Sequence, residues 1–331
     1  MNAVPHHPAD VTSTWLSEVL GRPVEVLSRV DEVSNWGAHV RLEVKDVARD
    51  DVMRLRVKIG SASTFGTSEV DYYLTLFAGL PDAPLVRCHH AAADSTHYHL
   101  VLDDLAQTHR NLDDVVITED LGRALVDAIG RLHAFCWPRV PPEPTEVEAG
   151  LKDARAGLPV MLSAMADSFS QAERDLVRQV FDTQPAVMQA RVATAAGFSF
   201  VHGDLNPGNI LAPTGGSPFN QVFLLDHQPF LGCSVTGLAV SDLAYAMVLW
   251  WPVEDRRRWA NVLVNRWHAG LLARGVVGYS LAQARDDWRH CVKQTLFVPA
   301  SRCSEPGAVT ELRWLWEMHT RRALAAIAEL G

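Results

Sequence analysis

At residues 202–211 the chain reads His202-Gly203-Asp204-Leu205-Asn206-Pro207-Gly208-Asn209-Ile210-Leu211, and this stretch decides its fold class. Apolar residues flank it, so the pattern predicts a loop between two strands that presents Asp204 and Asn209. Seventeen residues after Asn209, the apolar pair Leu224-Leu225 leads into Asp226. A hairpin with its turn at 213–220 would bring Asp226 back beside Asn209.

These residue types fit phosphoryl transfer. The accepting hydroxyl needs a carboxylate that orients it and takes its proton, and Asp204 fits that role. Magnesium needs hard oxygen ligands beside the triphosphate, and Asn209 and Asp226 provide them. The sequence therefore predicts a catalytic base and a metal site on neighbouring loops.

The two motifs also resemble a known group of enzymes. HGDLNPGNIL followed by LLDHQ is similar to the catalytic and metal loops of the aminoglycoside phosphotransferase and choline kinase-like superfamily, which is related to protein kinases. The D-x-Q form at Asp226 and Gln228, with Ser-Asp-Leu-Ala-Tyr at 241–245, is most similar to the ecdysteroid kinase-like (CHK kinase-like) branch and its bacterial relatives. The resemblance implies that Asp204 is the catalytic base, that Asn209 and Asp226 bind Mg²⁺, and that Asp242 supports the loops.

The resemblance also implies a nucleotide site in the first third of the chain. There a strand lysine holds the phosphates and a helix glutamate holds the lysine. Lys58 lies on the polar face of a predicted strand, and Glu69 lies at the edge of the apolar stripe of the next helix. Further nucleotide contacts are implied in the phosphate-covering loop and in the hinge run 100–105. Their residues are Ser34, Asn35, Gly37 and Asp103.

The hydrophobic pattern predicts a small strand-rich unit followed by a larger helical unit, and the resemblance implies that they form a two-lobed α+β fold of the protein-kinase-like type. Alternating residues predict strands at 24–30, 39–44, 53–59 and 98–102, after a helix capped by Asp10 and ended by Gly21. A further helix begins at Ser68, and helical patterns dominate from residue 119 onward, apart from the strands around the 202–211 loop. We expect a small antiparallel-sheet nucleotide-binding lobe at 1–105. A larger helical lobe at 106–331 would hold the catalytic loop and acceptor pocket.

Composition excludes several classes of protein. The chain carries 30 Lys and Arg against 39 Asp and Glu, a net charge of −9, so neither nucleic acid nor an anionic membrane is an expected partner. Neither a secretory signal nor a CxxC pair is visible, which predicts a cytoplasmic protein with reduced thiols. Six histidines show neither a converging carboxylate nor cysteine spacing and are interpreted as scattered surface residues. They are His6, His7, His89, His90, His97 and His99.

The predicted function is ATP- and Mg²⁺-dependent transfer of the γ-phosphate to a hydroxyl of a small molecule. The lack of a long phosphorylatable segment between Asp226 and Asp242 favours a small-molecule kinase over a protein kinase. A nucleotide-binding protein that has lost catalysis remains the main alternative. Antibiotic, sugar, choline-like, nucleoside and sterol-like acceptors stay open, as does the oligomeric state. Seven tryptophans from Trp250 onward indicate either helix packing or a pocket that stacks on a ring.

Overall fold

The computed structural model describes residues 3–34, 37–137, 144–194, 196–215, 221–227 and 235–330. The chain forms two compact units. The first comprises Met1–Asn111 and Leu211–Leu231, and the second comprises Leu112–Ile210 and Gly232–Gly331. Asn35 and Gln228, which the sequence analysis singled out, lie outside the described residues.

Strands dominate the first unit and helices the second. The strands are β1 (Val24–Ser34), β2 (Gly37–Asp46), β3 (Asp51–Ser61), β4 (Cys88–Ala93), β5 (His97–Asp103), β6 (His109–Asn111), β7 (Phe198–Val201), β8 (Ile210–Pro213), β9 (Phe223–Leu224) and β10 (Val235–Leu238). The helices are α1 (Ser13–Leu20), α2 (Ala62–Phe65), α3 (Ser68–Asp71), α4 (Glu119–Phe135), α5 (Pro144–Ala164), α6 (Gln171–Thr194), α7 (Ser241–Ala244), α8 (Val253–Ala273), α9 (Leu281–Gln294), α10 (Phe297–Arg302) and α11 (Ala308–Ala328). Short 3₁₀ turns lie at Pro8–Asp10, Leu112–Asp114 and Pro207–Asn209, and π-helical turns at Tyr72–Leu76 and Tyr245–Trp250.

An antiparallel sheet of order β1-β2-β3-β5-β4 is the centre of the first unit. Alternation on β3 buries Leu55, Val57 and Ile59, as the sequence predicts. Val57 pairs with Val40 on β2 and with Val101 on β5, so an apolar row runs across the middle strands. Lys58 lies between two of these buried residues, and its side chain therefore leaves from the opposite face.

Helix α1 covers one face of this sheet. Trp15, Leu16 and Val19 pack against the buried residues of β2 and β3. The predicted cap at Asp10 is wrong. The N-cap is Thr12, whose hydroxyl accepts from the Trp15 N–H at 3.1 Å, because the carboxylate of Asp10 already accepts from the N–H groups of the two residues before the 3₁₀ turn. Gly21 ends the helix in the left-handed conformation, as predicted.

The other face of the sheet is covered by parts of the chain that are distant in sequence. Val70 from α3 packs with Tyr98, Leu100 and Leu102 of β5, and Leu211, Phe223 and Leu225 pack against the same cluster. These last three lie on or next to the β8 and β9 hairpin, which explains why Leu211–Leu231 belongs to the first unit. The lobe boundary expected at residue 105 would instead assign this segment to the larger lobe. The helix predicted from Ser68 is α-helical only to Asp71 and continues as a π-helical turn.

The second unit is mainly helical, with a two-stranded sheet of β7 and β10. Helix α4 packs on α8, and α5 packs on α10. The closeness of the second pair depends on Gly157, because a Cβ atom at that position would collide with the carbonyl of Ala300. In the described ranges, no helix combines the length and apolar character needed to cross a bilayer. The α+β architecture predicted from the sequence is confirmed.

Candidate active site

Lys58 and two carboxylates form a cluster in the first unit. The Lys58 Nζ lies 2.8 Å from Glu69 Oε2 and 2.6 Å from Asp226 Oδ1. Glu69 on α3 is buried, with its side chain 5% exposed, whereas the Asp226 side chain is 43% exposed. Burial lowers the pKa of the Lys58 ammonium, but the charges of Glu69 and Asp226 outweigh that effect, so its pKa lies above the usual value. The lysine is therefore a fixed cation at neutral pH.

Asp226 occupies an unusual backbone conformation. Its φ is 61°, in the left-handed region, which a non-glycine residue seldom adopts. The next residue, His227, is fully buried, and its ring lies 5.7 Å from that of Phe77 and 6.1 Å from that of Tyr72. Because the His227 ring is buried, it fixes the backbone here, and the side chain of the preceding residue, Asp226, is exposed to solvent. Backbone strain of this kind is common at functional sites.

Gly37, the first residue of β2, lies beside β3, the strand that carries Lys58. Gly37 has a φ of 153°, and a Cβ atom there would collide with the carbonyl of Ile59 on β3. Gly37 pairs with Ser34 across the hairpin and with Gly60 on β3. A side chain at Gly37 would therefore force β2 and β3 apart, so this glycine has a structural role besides its predicted contact with phosphate.

His39 stands opposite Lys58 on the neighbouring strand. Burial, followed by the positive charges of Arg56 and Lys58, lowers the pKa of His39 to about 4. The Arg56 Nε donates to His39 Nδ1 at 3.2 Å, which is the arrangement of a neutral imidazole. At neutral pH, therefore, Lys58 is charged whereas His39, its partner on β2, is neutral.

Asp103 has contacts that the sequence did not predict. Its carboxylate lies 2.6 Å from His89 Nε2, and its backbone N–H donates to the Arg87 carbonyl at 3.0 Å. Both interactions are within the first unit. Its N–H is therefore already used, and a nucleotide base would have to contact another group of the 100–105 run.

The second unit holds the Asp204 carboxylate in a set of donors. Tyr245 Oη donates to Asp204 Oδ1 at 2.6 Å, and Asn206 Nδ2 donates to the same oxygen at 3.1 Å. Asn209 Nδ2 donates to the Asp204 carbonyl at 2.9 Å and lies 3.3 Å from Oδ2. Oδ1 therefore carries the strong hydrogen bonds, and Oδ2 is the oxygen with capacity for a further donor.

A buried aspartate anchors the loop that carries Asp204. Asp242 on α7 accepts from the backbone N–H groups of His202 and Gly203, both at 2.8 Å, and its Oδ2 lies 3.0 Å from His133 Nε2. Burial raises the pKa of Asp242, but the hydrogen bond and charge of His133 outweigh it, so the pKa lies below the usual value. These contacts agree with the supporting role that the resemblance implies for Asp242.

Two further residues, Gly203 and Trp267, contribute to this arrangement around Asp242. Gly203 has a φ of 77°, which an L-residue rarely adopts, and this accounts for glycine directly before Asp204. Trp267 Nε1 donates to His133 Nδ1 at 3.1 Å. Because that nitrogen accepts, the proton of a neutral His133 is on Nε2, facing Asp242.

Asn209 in the second unit and Asp226 in the first each offer an oxygen of the type that magnesium binds. The amide nitrogen of Asn209 faces Asp204, because a carboxylate can only accept, so its Oδ1 is the atom left to bind a cation. Asp226 contacts Lys58 through Oδ1 and retains Oδ2. Both are hard oxygen donors of the kind that Mg²⁺ prefers.

Sequence reasoning missed three contacts in these two clusters. They are Lys58 with Asp226, Tyr245 with Asp204, and Trp267 with His133. Tyr245 is the last residue of the Ser-Asp-Leu-Ala-Tyr motif at 241–245, in which only Asp242 has a role predicted from the sequence. Its spacing of three from Asp242, about one helical turn, is the signal that could have placed it beside the loop.

Comparison with known proteins identifies the family of this chain. The sequence profile of the phosphotransferase enzyme family (APH) matches residues 66–277. The chain belongs to this family. The matched range includes Glu69, both motif loops and Asp242. A comparison with curated proteins finds no match.

Solved structures share the fold over nearly the whole chain. One is a spectinomycin phosphotransferase in complex with ADP and spectinomycin, at 10% identity, 98% coverage of each chain and a TM-score of 0.50. Another is an aminoglycoside phosphotransferase from Alicyclobacillus acidocaldarius, at 13% identity, with 99% of this chain and 97% of that chain covered and a TM-score of 0.52. At these identities the likeness establishes the fold.

Proposed function

We propose that this protein transfers the γ-phosphoryl group of ATP to a hydroxyl group of a small molecule. The observation that carries the proposal is the Asp204 carboxylate, whose Oδ1 is fixed by Tyr245 and Asn206. This leaves Oδ2 to accept the proton of an incoming hydroxyl. The hydroxyl oxygen then forms a bond to the γ-phosphorus, the bond from that phosphorus to the β,γ-bridging oxygen breaks, and ADP leaves.

Tyr245 acts in this scheme as a positioning residue. Its phenolic O–H donates to the carboxylate oxygen that does not face the acceptor, and so sets the direction of the other oxygen. Asn206 and Asn209 restrict the same carboxylate from the loop itself. A base held in this way loses little orientational freedom when the substrate binds.

Lys58 holds the nucleotide phosphates in the proposed enzyme. Glu69 keeps the ammonium in place because the glutamate is buried and contacts it at 2.8 Å. Asp226 and Asn209 would hold Mg²⁺, which would neutralise charge on the phosphates and favour departure of ADP. The ADP in the spectinomycin phosphotransferase structure supports the choice of an adenine nucleotide.

The acceptor is a small hydroxyl-bearing molecule in this proposal. Spectinomycin in the structural neighbour supports a polar ring alcohol as the first compound to test. The resemblance of the D-x-Q and SDLAY motifs to the ecdysteroid kinase-like branch supports a sterol-like alcohol as the second. Four of the seven C-terminal tryptophans are buried among the helices and belong to packing. They are Trp251, Trp267, Trp288 and Trp316.

The test is ADP release from ATP and Mg²⁺ across a panel of acceptors, with the phosphorylated product identified by mass spectrometry. Wild type is compared with Asp204→Asn and with Asp286→Asn, an exposed aspartate on α9 that contacts Arg289. Loss of a general base should lower turnover by about 10²–10⁴-fold while nucleotide affinity is retained. Asp286→Asn should behave as wild type.

The panel separates the proposal from its alternatives. Nucleotide binding without transfer to any acceptor would indicate a protein that has lost catalysis. Transfer to peptides and not to small alcohols would indicate a protein kinase. Full activity in Asp204→Asn would contradict the assignment of the base.

A further inference from the structure

Three side chains that are scattered in the sequence meet on the surface of the first unit. His6 lies before the first 3₁₀ turn, Asp94 follows β4, and His97 begins β5. His6 Nε2 is 2.8 Å from Asp94 Oδ2, and the two imidazole rings stack with centroids 4.2 Å apart. One ligand atom from each residue lies within 4.8 Å of the others. The expectation that these histidines have no converging carboxylate is therefore wrong for His6 and His97, as it is for His89 beside Asp103.

The hydrogen bonds around Asp94 fix the proton positions in this group. Asp94 Oδ1 accepts from the Thr96 hydroxyl at 2.9 Å and from the N–H groups of Thr96 and His97. The Thr96 hydroxyl therefore has no proton left for His97 Nδ1, which lies 3.0 Å from it and must be the donor. In neutral His97 this leaves the lone pair on Nε2. Such a bond from the second ring nitrogen is typical of metal-binding histidines.

Asp94 is prepared for a cation by the same contacts. Its Oδ1 is occupied by three donors, so Oδ2 is the oxygen directed at the two rings. The group thus combines one carboxylate oxygen with two imidazole nitrogens, a donor set that suits zinc.

We propose that His6, Asp94 and His97 bind a divalent transition-metal ion of the zinc type, with water completing the coordination. A tetrahedral zinc site with bonds of about 2.0–2.2 Å places its ligand atoms about 3.3–3.6 Å apart. His6 and Asp94 are exposed and His97 is half-buried, so rotation about the side-chain bonds of His6 would bring its ligand atom closer to the other two. When zinc binds, the Nε2 proton of a neutral His6 would move to Nδ1, and the Nε2 lone pair would bind the metal.

The bound metal would connect the N-terminal segment to the turn between β4 and β5. The segment is already ordered on both sides of His6. The carbonyl of Ala3 accepts from Trp15 Nε1 at 2.9 Å, and the His6 N–H donates to Asp10 at 2.9 Å. The ligands therefore come from two parts of the chain that are held in place before the metal arrives. This site is independent of the proposed phosphotransferase chemistry.

The test is titration of the full-length protein, without an affinity tag and stripped with a chelator, with ZnCl₂ in a calorimeter. His6→Ala and His97→Ala are compared with His7→Ala, which removes an exposed neighbouring imidazole outside the group. We expect one zinc per wild-type chain, and affinity at least about 10-fold lower in His6→Ala and His97→Ala only. Affinity should also fall as the pH is lowered, because protons compete with zinc for the imidazole nitrogens.

A second measurement does not depend on activity. The melting temperature of wild type and His7→Ala should rise with zinc and return on addition of chelator, while that of His6→Ala and His97→Ala should not respond. Equal melting temperatures of the apo forms would show that the variants are folded. Absence of zinc binding to wild type would overturn the proposal. So would equal affinity in wild type, His6→Ala and His97→Ala, because other histidines would then hold the metal.

Discussion

The phenolic oxygen of Tyr245 lies 2.6 Å from Oδ1 of Asp204, and it joins a π-helical turn of the second unit to the loop that carries the proposed base. Asp242, three residues earlier, accepts the backbone N–H groups of His202 and Gly203. One helical segment therefore holds the loop through its backbone and the carboxylate through a side chain. π-Helical turns are frequent at functional sites.

We expect Tyr245→Phe to lower kcat by about 10-fold or more, with little change in the KM for ATP or in the melting temperature. The substitution removes one charge-assisted hydrogen bond and leaves the ring. Steady-state kinetics and thermal unfolding measure both effects. Tyr279→Phe is the matched control, since it removes a 2.9 Å bond from a buried tyrosine to Asp287. The control should lower stability and leave kcat unchanged, and the opposite pattern would refute the positioning role.

Lys58→Met should weaken ATP binding by about 10- to 100-fold, because one hydrogen bond to a charged group contributes about 1.5–3 kcal/mol. The loss should be visible in a calorimetric titration with ATP and Mg²⁺. Lys45→Met is the control, because Lys45 on the neighbouring strand contacts the exposed Asp50. Unchanged ATP affinity in Lys58→Met would remove Lys58 from the nucleotide site.

Gly157→Ala should destabilise the protein by about 1–3 kcal/mol or more, because the added methyl group would collide with the Ala300 carbonyl and separate α5 from α10. Denaturant unfolding measures the change. Gly270→Ala on α8 is the control. Its methyl group meets the flexible end of Arg274 at 3.2 Å, so the better helix propensity of alanine should leave stability equal or up to about 1 kcal/mol higher. Similar losses in both variants would contradict this packing argument.

His319→Phe should make the protein more resistant to acid. Burial, followed by the charge of Arg322, lowers the pKa of His319 to about 3 from an unfolded value of 6.5. Between these values the unfolded chain binds a proton that the folded chain does not, so this histidine costs stability as the pH falls from 6.5 toward 3. Phenylalanine keeps a ring against Trp250 and Trp316 and removes the titrating group.

The free energy of unfolding of His319→Phe should therefore fall less than that of wild type between pH 7 and pH 4. Denaturant curves at each pH measure the difference. The stability of His319→Phe should still depend on pH to some extent, since burial also lowers the pKa of His39 and His99 to about 4. His7→Phe changes an exposed ring and should follow wild type. An unchanged pH profile in His319→Phe would show that His319 is not a source of acid sensitivity.

The fold class and four of the five strands of the central sheet could be predicted from the sequence, whereas β4 was missed. Leu55, Val57 and Ile59 alternate with charged residues because successive side chains in a strand point to opposite faces. The same alternation placed Lys58 on the polar face. Asp204, Asn209 and Asp226 were found because phosphoryl transfer needs those groups at the ends of strands. Their roles remain proposals.

By itself the sequence determined what repeats along the chain at short range: strand alternation, helical stripes and residue types on the motif loops. Only the tertiary structure decided which distant residues meet. Lys58 contacts Asp226 across 168 positions, His6 contacts Asp94 across 88, and Tyr245 contacts Asp204 across 41. Local patterns reflect backbone geometry over one or two turns or strands. Contacts at longer range depend on how apolar surfaces from separate segments pack together. In the first unit, for example, Val70, Tyr98 and Phe223 come from three distant segments and pack in one cluster.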